Sequence, residues 1–268
     1  MTMALRIGPK ARFILPATDT YQFHSGITHR DYEVSVAVMA PVEPGRRYPV
    51  LYVMDGDGSL PFFASVVPLM QAGKELPGMI VAGIGYGLSG LISDPAVLQQ
   101  WAGLRMTDLV PTRQADGDGG GAPEFLRFVT EELMPFINTN YPADADDCGL
   151  AGGSLGGLFT LYAMLASPGT FRRFLAGSPA IIRSRDLLLS LEEKLAEGRT
   201  DFPVRLFMGV GSLEPEFMQS DMKVMADRLA SRGYARFQLT TRVFDGESHF
   251  SVWPGAFSRG LRTIFQSE

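Results

Sequence analysis

Ser154 stands in GLAGGSLGGLF, residues 149–159, where Gly152-x-Ser154-x-Gly156 separates the strand-like CGLAG from the helix-like LGGLFTLYAMLA. A serine on so sharp a strand-to-helix turn sits in a strained backbone, and side chains two residues before and after it would strike the adjoining elements. Its hydroxyl lies at a helix N-terminus, where the dipole favours developing negative charge. These features suit a nucleophile, and a serine nucleophile needs a base. Of the three histidines, His24 and His29 precede the parallel part of the chain and read as strand or surface residues. His249 follows the last predicted strand, in FDGESHFSVWP, where it can take the serine proton and return it to a leaving group. An acid to orient the imidazole is expected after the preceding strand, in VGSLEPEF. Glu214 comes first there, with Glu216 and Asp221 as alternatives. Acids flanking Pro215 would also complement a helix dipole, so a Ser-His pair working without an acid stays open.

Acyl transfer also needs two backbone N–H groups aimed at the oxyanion. One is expected from Leu155, the residue after the serine. The other is expected from the loop Asp55-Gly56-Asp57-Gly58 behind the strand VLYVM, at Asp57. Asp55-x-Asp57-x-Ser59 also starts like a calcium loop, but Leu60 and Val66 occupy the positions that need glycine and glutamate, so no metal is expected. Gly85-Tyr86-Gly87-Leu88-Ser89-Gly90 fits a dinucleotide fingerprint in letters only: Ser-Asp-Pro interrupts the helix that should follow it. Cys148, the one cysteine, lies in a predicted core strand and reads as a small buried hydrophobe, which leaves neither a disulfide nor a thiolate metal site.

The elements that must position these residues are visible as a change of pattern. DYEVSVAVMA, residues 31–40, alternates polar and apolar positions as a half-buried antiparallel strand does. From residue 48 the runs are apolar on both faces, at 49–54, 79–84, 147–151, 172–177, 204–209 and 236–244, with helix-length segments between most of them. That alternation predicts a parallel sheet covered on both sides. PEFLRFVTEELMPFI places Phe125, Phe128, Val129, Leu133, Phe136 and Ile137 on one helical stripe, and Phe217, Met218, Met222, Met225 and Leu229 form another after Pro215. Residues 85–122, glycine-rich and containing QADGDGGGAP, are expected to form a long irregular loop above the carboxyl ends of the strands. Nucleophile, acid and histidine follow one another in the order of the α/β-hydrolases. The expected fold is therefore an α/β-hydrolase: a twisted, mostly parallel sheet of about eight strands, with an antiparallel N-terminal portion and helices on both faces. One domain over 1–268 is expected, with 1–18 as a loosely ordered N-terminal segment.

Several segments together resemble the esterase family of α/β-hydrolases that contains the enterochelin (siderophore) esterases. They are YPVLYVMDGD (48–57), the R-x-x-D-L-x-P segment from Arg105 to Pro111, FLRFVTEELMPFINTNYP (125–142), AGGSLGGLF (151–159), GSPA (177–180) and GESHFSVWPGAF (246–257). The resemblance runs from about residue 20 to 265, and the D-G start of the oxyanion loop is most similar to the enterochelin-esterase branch. It implies that Ser154 and His249 are catalytic and that Asp57 and Leu155 supply the oxyanion hole. It further implies that Arg105 holds an anionic or catechol-bearing substrate, where the residues alone show only a cation on an irregular loop. Trp253, four residues past His249, is a candidate pocket wall or an aromatic packed under the last helix. The chain departs from the family where Ser178-Pro179 is followed by Ala-Ile-Ile in place of an early aromatic.

The expected activity is that of a serine carboxylesterase acting through an acyl-enzyme, on an ester of the siderophore type, without cofactor or metal. Acyl transfer to an alcohol or thiol, or ligand binding without catalysis, are the alternatives. A net charge of −5 with no Lys/Arg cluster excludes a nucleic-acid partner, and no run of 18 apolar residues offers a membrane span. The expected partner is a small-molecule ester. MTMALRIGPKARF has no secretory h-region, so the expected compartment is the cytoplasm, or the periplasm or exterior if a signal has been removed.

Overall fold

In a computed structural model that describes residues 15–266, the apolar runs become six strands of one eight-stranded sheet, five of them inner strands; the run at 236–244, expected to be covered on both faces, is instead a largely exposed edge strand with one parallel neighbour. Most of the loose segment expected over 1–18 lies outside the described residues. β1 (Thr18–His24) and β2 (Asp31–Met39) form an antiparallel hairpin. β3 (Tyr48–Met54), β4 (Met79–Gly85), β5 (Ala143–Gly153), β6 (Arg173–Gly177), β7 (Arg205–Gly211) and β8 (Gln238–Phe244) are mutually parallel, and β2 joins them antiparallel to β4. The order across the sheet is β1-β2-β4-β3-β5-β6-β7-β8. From β3 the chain turns first to one side, to β4, and then to the other, to β5. Loops leaving the carboxyl ends of β3 and β5 therefore splay apart into the crevice where such sheets take their ligands.

Strand periodicity divides the core in two. Along β3, Val50, Tyr52 and Met54 belong to one apolar cluster and Leu51 and Val53 to the other, all of them buried. Both faces are therefore covered. α1 (Gly56–Ala72) and α8 (Val252–Phe265) close one face with Leu60, Phe63, Val67, Phe257 and Leu261. On the other face lie α5 (Leu155–Ala166), α6 (Arg185–Ala196) and α7 (Glu216–Ser231), whose Met218, Met222 and Met225 are core filler. The helix expected over 123–137 also packs here, as α3 (Ala122–Arg127), a π-helical turn (Phe128–Leu133) and α4 (Met134–Asn140). Pro135 has no N–H for the Glu131 carbonyl, which accounts for the irregular turn before it. Cys148 is buried, its thiol pushed up to about 12 by desolvation, as a structural cysteine should be.

One expectation fails. Residues 85–122 are not irregular throughout, because α2 (Pro95–Leu109) crosses them. The Ser-Asp-Pro that seemed to interrupt a helix starts one: the Asp94 side chain accepts the Ala96 N–H at 2.9 Å, with Pro95 in the first turn. The periodicity was hidden because the buried face of α2 carries Arg105 and Asp108 instead of an apolar stripe.

Candidate active site

Every predicted site residue leaves the same edge of the sheet or packs against it. Ser154 lies between β5 and α5 at φ 58°, ψ −114°, a backbone conformation that a non-glycine residue occupies only under constraint. The constraint is local. Ser154 N–H donates to Gly177 O at 2.8 Å, and its own carbonyl accepts from Ala180 N at 3.0 Å and Leu158 N at 2.9 Å. A Cβ on Gly152 would stand 2.5 Å from the Gly156 carbonyl carbon, so the turn closes only with glycine there. Gly153 makes its close approach to Trp253 in α8, with 2.9 Å between a Cβ placed there and Cε2, and not to the following helix.

His249, on the loop between β8 and α8, brings Nε2 to 3.0 Å from Ser154 Oγ. Its Nδ1 lies 2.6 Å from Glu214 Oε2, on the loop after β7. Of the three acids considered, Glu214 meets the histidine. Glu216 opens α7 on the surface, and the buried Asp221 faces Arg185 at 3.3 Å. Glu214 is held from its other oxygen, where Oε1 accepts from Ser178 Oγ at 2.6 Å and from Gly211 N at 2.7 Å. A buried carboxylate with all its near neighbours donating is fixed in place and able to stabilise an imidazolium. Sequence reasoning missed Ser178. Its signal was the GSPA segment, whose serine takes φ 42° as the chain leaves β6. His24 and His29 take no part, His24 pairing on the surface with Asp31 at 2.7 Å.

Leu155 and Asp57 are placed alike, as first and second residues of α5 and α1. The earliest N–H groups of a helix have no intrahelical acceptor. In α1 the first bonds accepted by Asp55 O come from Gly58 at 3.0 Å and Ser59 at 2.9 Å, so the N–H groups of Gly56 and Asp57 precede them. The Asp57 carboxylate turns away to accept Tyr86 N at 2.7 Å and Gly87 N at 3.2 Å, tying this loop to the end of β4. That segment is the supposed dinucleotide fingerprint; α2 begins five residues beyond Gly90.

Arg105 differs from its expectation. It is not an exposed cation on a loop but a buried residue of α2, its guanidinium taken by the Asp55 carboxylate and the Gly153 carbonyl and lying 4.0 Å from the Trp101 ring centroid. Burial raises the Asp55 carboxyl above its ordinary value, and Arg105 opposes that shift. One turn further along α2, Asp108 is fully buried against Arg30 Nη2 at 2.6 Å and Tyr32 OH at 3.2 Å, and its carboxyl is raised to about 6 by desolvation. Trp253, in the first turn of α8, backs Gly153 and lies 6.0 Å ring to ring from His249. Phe250, also unforeseen, stands 5.1 Å from the imidazole and is 68% exposed at the rim.

A parallel sheet crossed by helices on both faces, with a serine at the strand-to-helix turn of β5, defines an α/β-hydrolase fold. Comparison with known proteins narrows the class. The esterase family model described as "Putative esterase" matches residues 25–264. The ferri-bacillibactin esterase BesA of Bacillus subtilis is 28% identical over 274 residues, covering 95% of this chain and 92% of that protein. The crystal structure of BES protein from Bacillus cereus superposes with a TM-score of 0.87 at 28% identity, over 98% of this chain and 100% of that one. The siderophore hydrolase EstB from Aspergillus nidulans shares the fold, with a TM-score of 0.81 at 22% identity over 96% and 98% of the two chains. The chain belongs to this esterase family and is an ester-hydrolysing enzyme. Among the described residues no helix is long and apolar enough to cross a membrane, and no cluster of His, Cys, Asp and Glu could hold a metal ion.

Proposed function

We propose that the protein is a serine carboxylesterase for siderophore-type esters. The observation that carries the mechanism is the continuous path from Glu214 through His249 to Ser154, with steps of 2.6 and 3.0 Å. Ser154 Oγ attacks the ester carbonyl carbon while His249 Nε2 takes its proton, giving a tetrahedral oxyanion. The Leu155 and Asp57 N–H groups bind that oxyanion. Collapse expels the alkoxide, which leaves as an alcohol with the proton from His249. Water then attacks the acyl-enzyme with His249 again as base, releasing the acid and restoring the serine. Glu214 keeps the imidazole in the tautomer with its proton on Nδ1. No step changes an oxidation state, so the cycle needs no redox cofactor. The substrate class rests on relatives of matching length named for siderophore ester hydrolysis.

The test combines a fluorophosphonate probe, a panel of p-nitrophenyl esters and trilactone siderophores, with Ser154→Ala and His249→Ala as controls. Labelling of Ser154 and turnover lost in both variants are expected. Equal activity in S154A would end the serine mechanism, and turnover of simple esters with none of trilactones would end the substrate assignment.

A further inference from the structure

Resting on the serine-esterase reading above, we propose that the Asp55–Arg105 pair is a positioning clamp that holds the two arms of the oxyanion hole at a fixed separation. Arg105 Nε donates to Asp55 Oδ1 at 2.7 Å and Nη2 to Oδ2 at 3.0 Å, while Nη2 also donates to the Gly153 carbonyl at 3.0 Å. Asp55 lies two residues before the Asp57 N–H, and Gly153 lies two residues before the Leu155 N–H. One planar guanidinium thus grips both loops at the same remove from their donors, across the β3–β5 crevice.

Three further observations point the same way. Asp55 is held at φ 60°, a left-handed conformation unusual outside glycine, directly before the helix that opens with the Gly56 and Asp57 N–H groups. The backbone there has a reason to relax, and the bidentate ion pair is what opposes it, together with Ser59 Oγ on the Asp55 carbonyl at 2.9 Å. The Arg105 and Asp55 side chains are only 5% and 9% exposed, so neither is presented to a ligand. Trp101, one turn before Arg105 on α2, fixes the guanidinium plane from its face. A lysine could supply the charge but not the planar fork that spans a carboxylate and a carbonyl.

The proposal makes Arg105 a positioning residue, with an effect on the transition state and not on ground-state binding. Wild type, Arg105→Ala, Arg105→Lys, Asp55→Asn and the double variant Asp55→Ala/Arg105→Ala are assayed on p-nitrophenyl acetate and butyrate, well below each variant's melting temperature. Neutral esters leave no anion for Arg105 to bind. R105A is expected to lose about 100-fold in kcat, the scale of one lost oxyanion donor, with KM within about 3-fold of wild type. D55N is expected to lose about 10-fold, R105K to recover only part of the R105A loss, and the double variant to fall no further than R105A, since both changes open one clamp. Phosphonylation of Ser154 by the fluorophosphonate should slow in parallel. Should R105A fail to fold, R105K and D55N carry the same comparison. Wild-type kcat in R105A and D55N on neutral esters, a loss confined to KM, or multiplicative losses in the double variant would each overturn the clamp. Inactivity of the wild type itself would overturn the esterase reading and the clamp with it, and is read before any variant.

Discussion

Two regions meet at Ser154 and are built by opposite means. On the β5–β8 side, three short loops at strand ends carry Ser154, Glu214 and His249, and the reacting groups keep an opening to solvent, with His249 28% exposed at its side chain. On the α1–α2 side, buried ion pairs join distant segments: Asp55 to Arg105, 50 residues apart, and Arg30 to Asp108. In the proposed mechanism the first region holds the chemistry at little cost to the fold. The second spends burial of charge on fixing where the first region's oxyanion will sit. Activity and stability should therefore separate cleanly in one region and move together in the other.

The largest effect should break the comparison if it fails. Ser154→Ala and His249→Ala are expected to lower kcat by about 10³–10⁶-fold with melting temperature nearly unchanged. Steady-state kinetics beside thermal unfolding measures both. Glu214→Gln keeps the shape of the carboxylate but spoils the tautomer, and a loss of about 10³–10⁴-fold is expected. Loss of the Ser178 hydroxyl, in Ser178→Ala, should cost less, about 10-fold, because Gly211 N still holds the same oxygen.

The α2 region should lose stability along with activity. Arg105→Ala leaves the buried Asp55 charge without its partner and is expected to destabilise by about 3–5 kcal/mol, read by denaturant unfolding. By contrast, Ser154→Gly relieves φ 58° and should stabilise by about 1 kcal/mol while abolishing turnover. A stabilised R105A, or a destabilised S154G, would merge the two regions into one behaviour.

The most specific effect is in pH. The folded Asp108 carboxyl is raised to about 6 from 3.8, so between those values the folded chain keeps a proton that the unfolded chain has released. Its contribution is therefore fully present below about pH 4 and lost as the pH rises through about 6, amounting to about 3 kcal/mol over that window. Asp108→Asn should remove it. The stability of wild type relative to D108N is expected to grow as the pH falls from 7 to 4.5, and a constant difference would show that Asp108 stays ionised throughout.

What was legible in the sequence follows from the same contrast. Ser154 and His249 announce themselves because an elbow needs Gly152 and Gly156 at fixed offsets, and because the chain offers few histidines. The strands were visible because burial on both faces demands continuous apolar runs, as in VLYVM and MIVAGI. Glu214 was one of three acids until His249 and Ser178 singled it out, contacts between loops that no local pattern encodes. α2 was invisible for a related reason. Its buried side is charged, so the periodicity that exposes an amphipathic helix is inverted, and Arg105 looked like a solvent-facing cation. Local spacing reveals residues that a turn or a strand constrains, whereas partners chosen across the fold appear only when the fold is built.

The two tryptophans give this division an optical form. Trp101 lies 4.0 Å from the Arg105 guanidinium and Trp253 lies 6.0 Å from the His249 ring, one indole in each region. Replacing either by phenylalanine leaves a single emitter. The fluorescence of Trp101→Phe therefore reports the surroundings of His249. Emission from Trp253→Phe should instead follow the release of Arg105 from Asp55. Each half of the active site carries its own lamp.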